Sequence, residues 1–300
     1  MSRRRRLNDQ TAPALLLAMP ALLGLLLFIL LPFATALVLA FTDLRLGSPL
    51  AVNLVGLDQF LYLFNDPDFM RALLNNLLFA AVAVPLQTLL ALALALLLNR
   101  GLPGTLAFRT LFFMPVVFPM SLVAVIWSLI YAPGPNGMMN AFLQWASFGL
   151  WEAKDFLHDP LLAMPAIMLL SIWQGVGFQM VILLAGLQGI PQTLYEAAAL
   201  DGAGRWRQLL HITLPQLRNP LIFVILVTTI LAFRLFDQVQ IMTRGGPENA
   251  TTTVIYETVQ AAFARQQVAL ASAMTVVFFL LVLAITLLQR RFTHHQREVA

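Results

Sequence analysis

Tyr195-Glu196-Ala197-Ala198-Ala199-Leu200-Asp201-Gly202-Ala203-Gly204, followed by Ile212-Thr213-Leu214-Pro215, forms a polar, helix-capable insert between two long apolar runs. Residues 160–195 on one side and 219–233 on the other carry no charge. Outward from the insert the same pattern repeats, with charge-free windows at 10–42, 72–99, 110–151 and 266–289. A membrane-spanning helix needs ~20 apolar residues to cross ~30 Å of hydrocarbon. The windows therefore predict six spans, at 14–41, 72–98, 110–131, 161–187, 219–243 and 267–289. The fifth reaches full length only by taking in Arg234 and Asp237. With 60% hydrophobic residues, 11% charged and a mean hydropathy of +0.82, the composition excludes a soluble globular domain. Transmembrane barrels are built from short alternating strands. These runs are continuous and rich in Leu and Ala, so the expected fold is an all-α polytopic membrane protein.

The first run, Ala14 to Phe41, is too long for the core of a removable signal peptide and reads as the first span. Placing the amino terminus inside assigns 1–13, 99–109, 188–218 and 290–300 to the inner side. Those segments hold Arg3, Arg4, Arg5, Arg6, Arg100, Arg109, Arg205, Arg207, Arg218, Arg290, Arg291 and Arg297, most of the chain's 18 Lys and Arg. The positive-inside rule then predicts that both termini are cytoplasmic. The organisation expected is a cytoplasmic tail 1–13, a six-helix transmembrane domain 14–290 and a cytoplasmic tail 291–300, with a cytoplasmic loop 188–218 between helices four and five. The pI near 10.1 follows from that bias. Because the arginines flank spans and do not cluster on one polar face, no nucleic-acid partner is expected. There is no cysteine, and His158, His211, His294 and His295 have no metal-ligand spacing, so no metal is expected. No phosphate-binding G-x-x-x-x-G-K-[ST] run is present, and no catalytic set is visible in the spans.

Within the insert, Pro191 suits the start of a helix over 191–200. Gly202 can take positive φ and end it. A second helical stretch is expected from Arg205 to Leu214, with Pro215 and Pro220 stopping and restarting the chain. Ala197 and Ala198 permit close approach by a partner, Glu196 offers a carboxylate, and Asp201 is placed to cap the second stretch. An interfacial amphipathic hairpin with no partner fits these residues equally well.

Glu196-Ala197-Ala198, Asp201-Gly202-Ala203 and Ile212-x-Leu214-Pro215 resemble the signature loop of the permease subunits of ATP-binding-cassette importers. Phe41-Thr42-Asp43, Val55-Gly56-Leu57-Asp58-Gln59-Phe60, Leu184-Ala185-Gly186-Leu187-Gln188-Gly189-Ile190-Pro191 and Met242-Thr243-x-Gly245-Gly246-Pro247 resemble the carbohydrate-type permeases. The likeness is to the first of two dissimilar permeases, as in maltose, trehalose and glycerol-3-phosphate systems. It implies a multi-pass protein of a bacterial-type inner membrane. The implied partners are a second permease, an ATPase dimer that binds ATP and Mg, and an extracytoplasmic solute-binding protein, all around a lipid-embedded subunit with no ATPase site or cofactor of its own. It also implies that the helix Pro191–Leu200 couples to the ATPase through Glu196, Ala197, Ala198, Asp201, Gly202, Ala203, Leu214 and Pro215. The alternative is a self-sufficient channel or secondary carrier, which would have no need of a docking loop.

Polar groups inside spans should face protein or water. Gln87, Trp173, Gln174, Phe178, Gln179, Arg234, Asp237 and Gln238 are the candidates for a translocation path. Amides suit hydroxyls and aromatic faces suit the apolar side of a sugar ring, although helix packing also gathers polar and small residues. Arg234 and Asp237, three residues apart, can share one helix face as an ion pair; a free Arg234 guanidinium could instead bind a phosphate bidentately, which would favour a phosphorylated polyol over a neutral sugar. Arg244, Gly245, Gly246, Pro247 and Glu248 form a sharp outer turn, read either as a docking surface for the binding protein or as a plain connector.

Overall fold

The computed structural model describes residues 16–101 and 104–294, together with the side chains of those up to Arg291. The expected tail 1–13, with Arg3 to Arg6, lies outside the described residues, as do His295 and Arg297. The chain divides into two compact units, one of residues up to Asp66 with Thr258–Phe279, the other of Pro67–Glu257 with residues from Leu280 onward.

In the first unit, helix α1 (Leu16–Leu39) buries none of its most apolar window. A surface of this kind, Leu- and Phe-rich all round, suits lipid. After it, Thr42 bridges Leu54, and α2 (Asp58–Asn65) follows.

The second unit carries α3 (Pro67–Leu98), α4 (Thr105–Val117), α5 (Met120–Ile130), α6 (Met138–Ala146), α7 (Ala163–Gln188), α8 (Gln192–Leu200), α9 (Arg205–Gln208 continuing through Leu209–Thr213 and Leu214–Gln216), α10 (Arg218–Phe233) and α11 (Asp237–Met242). Helix α12 (Val254–Val259) and α13 (Val268–His294) are the last helices among the described residues. Helix α7 is the centre of the second unit, packed against α3, α4 and α10, while α11 packs on α5.

Among the described residues, five helices are long and apolar enough to span a membrane, and a sixth span arises if α4 and α5 are one broken crossing. The single helix expected over 110–131 is corrected by this break, where the two pieces meet at 102°. The cause is Pro119. Phe118 before it is extended (φ −80°, ψ 140°), the conformation that a following proline imposes. Pro165 falls in the first turn of α7, where its missing N–H costs nothing. Pro85 lies inside α3, which runs on through it.

The last helix continues to His294, past the expected boundary at 290. The fifth span is also interrupted, because α10 ends at Phe233 and α11 starts at Asp237.

Two apolar cores hold the second unit. One contains Phe79, Ala83, Trp127, Tyr131, Ile167, Leu170, Ile172 and Val239. The other contains Ala91, Ala95, Val176, Met180, Leu183, Leu187, Leu217 and Val224.

Candidate functional site: a polar band between two apolar cores

Each of the three central helices carries a polar residue between the two cores. On α3, Gln87 lies between Val84 of one core and Ala91 of the other. Gln174 on α7 lies between Ile172 and Val176, and Thr228 on α10 between Val224 and Ala232. A cavity of about 340 Å³ opens at this level, lined by Phe79, Gln87, Met120, Ser171, Gln174, Gly175, Phe178, Gln179, Thr228, Arg234, Asp237, Gln238 and neighbouring apolar residues.

Of the residues expected on a path, all but Trp173 line this one cavity. Ser171, Gln174, Gly175, Phe178 and Gln179 recur at spacings of three and four and so share one face of α7. Trp173 falls off that face, and its ring sits 5.5 Å from that of Trp127. Two glycines let the wall close up. A Cβ at Gly175 would overlap the Gln87 amide, and one at Gly177 would overlap the Phe112 carbonyl on α4.

The expected Arg234–Asp237 pair is not formed. The helix unwinds after Phe233, with Phe236 at φ −139°, ψ −59°, so a three-residue separation no longer puts the two side chains on one helix face. Both are exposed and line the cavity separately. Ser171 and Thr228 are polar cavity residues that the sequence reading missed. Single hydroxyls in apolar runs give little signal, because they ordinarily bond back to their own helix, as both do here.

The loop 188–218 takes the predicted helix–turn–helix form. Pro191 caps α8, no residue of α8 is buried, and Gly202 sits at φ +74°. Ala203 N–H donates to the Ala198 carbonyl (2.8 Å), closing the turn, and the Tyr195 hydroxyl meets Thr213 Oγ1 at 3.0 Å, tying the two arms together. Glu196, Ala197, Asp201 and Gly202 are exposed, while Ala198, Ala203 and Leu214 are half-buried.

Two expectations are corrected here. The start of α9 is capped at Gly204 with no side-chain bond, so Asp201 is the residue that closes α8 and not a cap for α9. Pro215 does not stop the chain. A π-helical turn at Leu209–Thr213 precedes it, and Pro215 lies in the opening turn of Leu214–Gln216.

The turn at 243–253 is firmly built. Arg244 (φ 52°), Gly245 (φ 84°), Glu248 (φ 49°) and Asn249 (φ 59°) all adopt the left-handed region. Gly245 is buried, Gly246 and Pro247 are half-buried, and Arg244 and Glu248 are exposed. Thr251, Thr252 and Thr253 are each 0% exposed. Asn75 Nδ2 donates to the carbonyls of Asn249 (3.0 Å) and Thr252 (2.9 Å), and Asn76 Oδ1 accepts from Val254 N–H (2.8 Å). The sequence signal for this clamp was the Asn75-Asn76 pair inside an otherwise apolar run.

Residues 87–298 match the family described as binding-protein-dependent transport system inner membrane component. The chain is 38% identical to the diacetylchitobiose uptake system permease protein NgcF of Streptomyces coelicolor, over 84% of this chain and 73% of that protein. It is 31% identical to the sn-glycerol-3-phosphate transport system permease protein UgpA of Yersinia pestis, over 82% of each. The fold resembles a chain of a bacterial ABC transporter involved in import of the acidic polysaccharide alginate, with a TM-score of 0.82 at 23% identity over 98% of this chain and 99% of that one. A second structure of a bacterial alginate ABC transporter, in complex with its pentasaccharide-bound periplasmic protein, matches with a TM-score of 0.81 at 23% identity over 97% of each chain.

Proposed function

The chain belongs to the family of inner-membrane components of binding-protein-dependent transport systems, and on that premise we propose that it is the carbohydrate-conducting permease of an ATP-driven importer. The observation that carries the reading is the cavity on α3, α7, α10 and α11. Four glutamines, an arginine, an aspartate and two phenylalanines converge there between two apolar cores. Convergent polar groups in a mostly apolar cavity are what orient a solute, and polar groups within spans mark a solute's route. Diacetylchitobiose and sn-glycerol-3-phosphate, named for two relatives, are both hydroxyl-rich.

In this reading the cavity is one wall of the path and a second permease supplies the other. Helix α8 is the cytoplasmic coupling element. Its freedom from burial supports a role as a docking surface for a separate ATPase, which binds ATP and Mg, so the chain itself hydrolyses nothing and holds no cofactor. Loop 243–253 lies at the far end of α10 and α11 from the coupling loop, which suits the outer face, where a solute-binding protein delivers the substrate. Both termini are then cytoplasmic. Nucleotide-driven movement of α8 against its partner would pass through α9 and the Tyr195–Thr213 contact to α10, and so to the cavity wall.

The test is reconstitution in lipid vesicles. The chain alone should neither hydrolyse ATP nor take up sugar, and uptake should appear only with the second permease, the ATPase, ATP and a loaded binding protein. Uptake by the chain alone would establish the self-sufficient carrier instead.

A further inference from the structure

The orientation of three amides in the cavity is fixed by its neighbours. Gln174 Nε2 donates to the Phe118 carbonyl (3.1 Å), which can only accept. Gln179 Nε2 donates to Thr228 Oγ1 (2.6 Å), and that hydroxyl has already given its proton to the Val224 carbonyl. Gln238 Nε2 donates to Ser171 Oγ (3.3 Å), whose own O–H donates to the Ile167 carbonyl. In each pair the hydroxyl or carbonyl must accept, so the glutamine must present nitrogen to it and keep its oxygen elsewhere. Among the described residues no protein donor reaches the oxygens of these three amides, while each nitrogen keeps a second N–H. Gln179 Oε1 is buried with no partner, on a side chain 2% exposed. A buried acceptor left unpaired is costly, and a donor from a solute would relieve that cost.

Asp237 adds a carboxylate to the same wall, and Arg234 contributes a guanidinium, so the charged residues lining the cavity sum to zero. From this arrangement we infer that the cavity selects a neutral, donor-rich solute, whose O–H or amide N–H groups bond to the glutamine oxygens and to Asp237, over sugars carrying phosphate, sulfonate or carboxylate. An anionic group would meet lone pairs at the glutamine oxygens and repulsion at Asp237, which offsets the attraction of Arg234, whereas a neutral solute uses the amide oxygens and the remaining amide N–H groups alike. The inference rests on the permease reading above and narrows its substrate class.

The experiment uses the assembled transporter in lipid nanodiscs without its binding protein, so that the permease's own preference is read. Competition by saturation-transfer NMR compares a neutral disaccharide, the corresponding disaccharide uronate and glycerol-3-phosphate. The neutral sugar should bind about tenfold or more tightly than either anion, because each anion brings a charge into a wall of zero net charge beside the Asp237 carboxylate. Asp237→Asn, at an exposed position, should narrow that ratio at least about threefold by removing the repelling charge. Gln179→Leu should weaken the neutral sugar most. Equal or tighter binding of an anion by the native transporter, or an unchanged ratio in Asp237→Asn, overturns the inference while leaving the carbohydrate reading intact. Binding of none of the three also overturns the inference, while uptake by the reconstituted system with its binding protein decides the carbohydrate reading separately.

Discussion

At the residue scale, Gly177 and Gly175 look alike in sequence but differ in what surrounds them. A methyl at Gly177 runs into the backbone of Phe112 and Phe113, which cannot yield without moving α4. At Gly175 it meets only the end of the Gln87 side chain, which can rotate away. Overpacking typically costs about 1–3 kcal/mol. Gly177→Ala should therefore lower the thermal midpoint of the detergent-solubilised protein, and Gly175→Ala should leave it closer to native while altering solute affinity. Equal midpoints would contradict this packing. Asp43, outside the spans, accepts from the Asn53 backbone N–H (2.7 Å) and side-chain amide (3.1 Å). These bonds hold its carboxyl below the ordinary 3.8. Since the folded value is depressed, the stabilisation is present above the unfolded value and is lost as pH falls through the folded one. Hydrogen exchange at the Asn53 amide should be protected at pH 6 and lose that protection in acid, and Asp43→Asn should weaken the protection at pH 6. Protection at pH 6 that survives Asp43→Asn in full would count against the linkage.

At the element scale, the loop between α7 and α10 combines rigidity with exposure. Alanines 197–199 favour helix, Gly202 turns it, and the Tyr195–Thr213 contact sets the angle between α8 and α9. The π-helical turn before Pro215 shows how proline can be carried in a helical run, since the added residue shifts the hydrogen-bond register just ahead of the missing N–H. Valine at Gly202 would be held in a left-handed conformation that costs about 1–2 kcal/mol even with open space around it. Glu196→Lys reverses an exposed charge on a surface proposed to meet a partner. Gly202→Val and Glu196→Lys should each reduce ATPase stimulation by loaded binding protein, and co-purification of the ATPase, while membrane insertion is unchanged. Native stimulation in both variants would remove the coupling role from this loop.

At the scale of the whole molecule, the second unit is fastened by bonds between distant parts of the chain. Asn75 and Asn76 on α3 hold the backbone of Asn249, Thr252 and Val254, which lie 174 to 178 residues away in sequence. Asn249 also donates to Asp68 at 2.8 Å. Turn 243–253 is thus held within the packing of the second unit, while Arg244 and Glu248 stay exposed. Asn75→Ala removes donors from two carbonyls, one of them on a fully buried residue, at about 1–3 kcal/mol for each group left unsatisfied. Hydrogen exchange over 249–254 should accelerate in this variant while that of α8 stays native. Unchanged exchange at the turn would show that the clamp is not what orders it.

The sequence by itself determined the helical membrane class, the approximate spans, the helix–glycine–helix form of the loop 188–218 and most of the polar residues that line the cavity. Those features are local. Apolar run length, proline and glycine placement and the rarity of polar side chains in lipid act over a few turns of chain. The tertiary structure alone decided that Gln87, Gln174, Gln179, Arg234, Asp237 and Gln238 share one cavity while Trp173 packs against Trp127, and that Arg234 and Asp237 stand apart. It also decided the 102° break at Pro119 and the clamp on Thr252. Each of these depends on which helix face meets which neighbour, and on where a helix gives way under packing. A one-dimensional hydropathy pattern carries neither, because the energy of a contact belongs to two segments of chain at once.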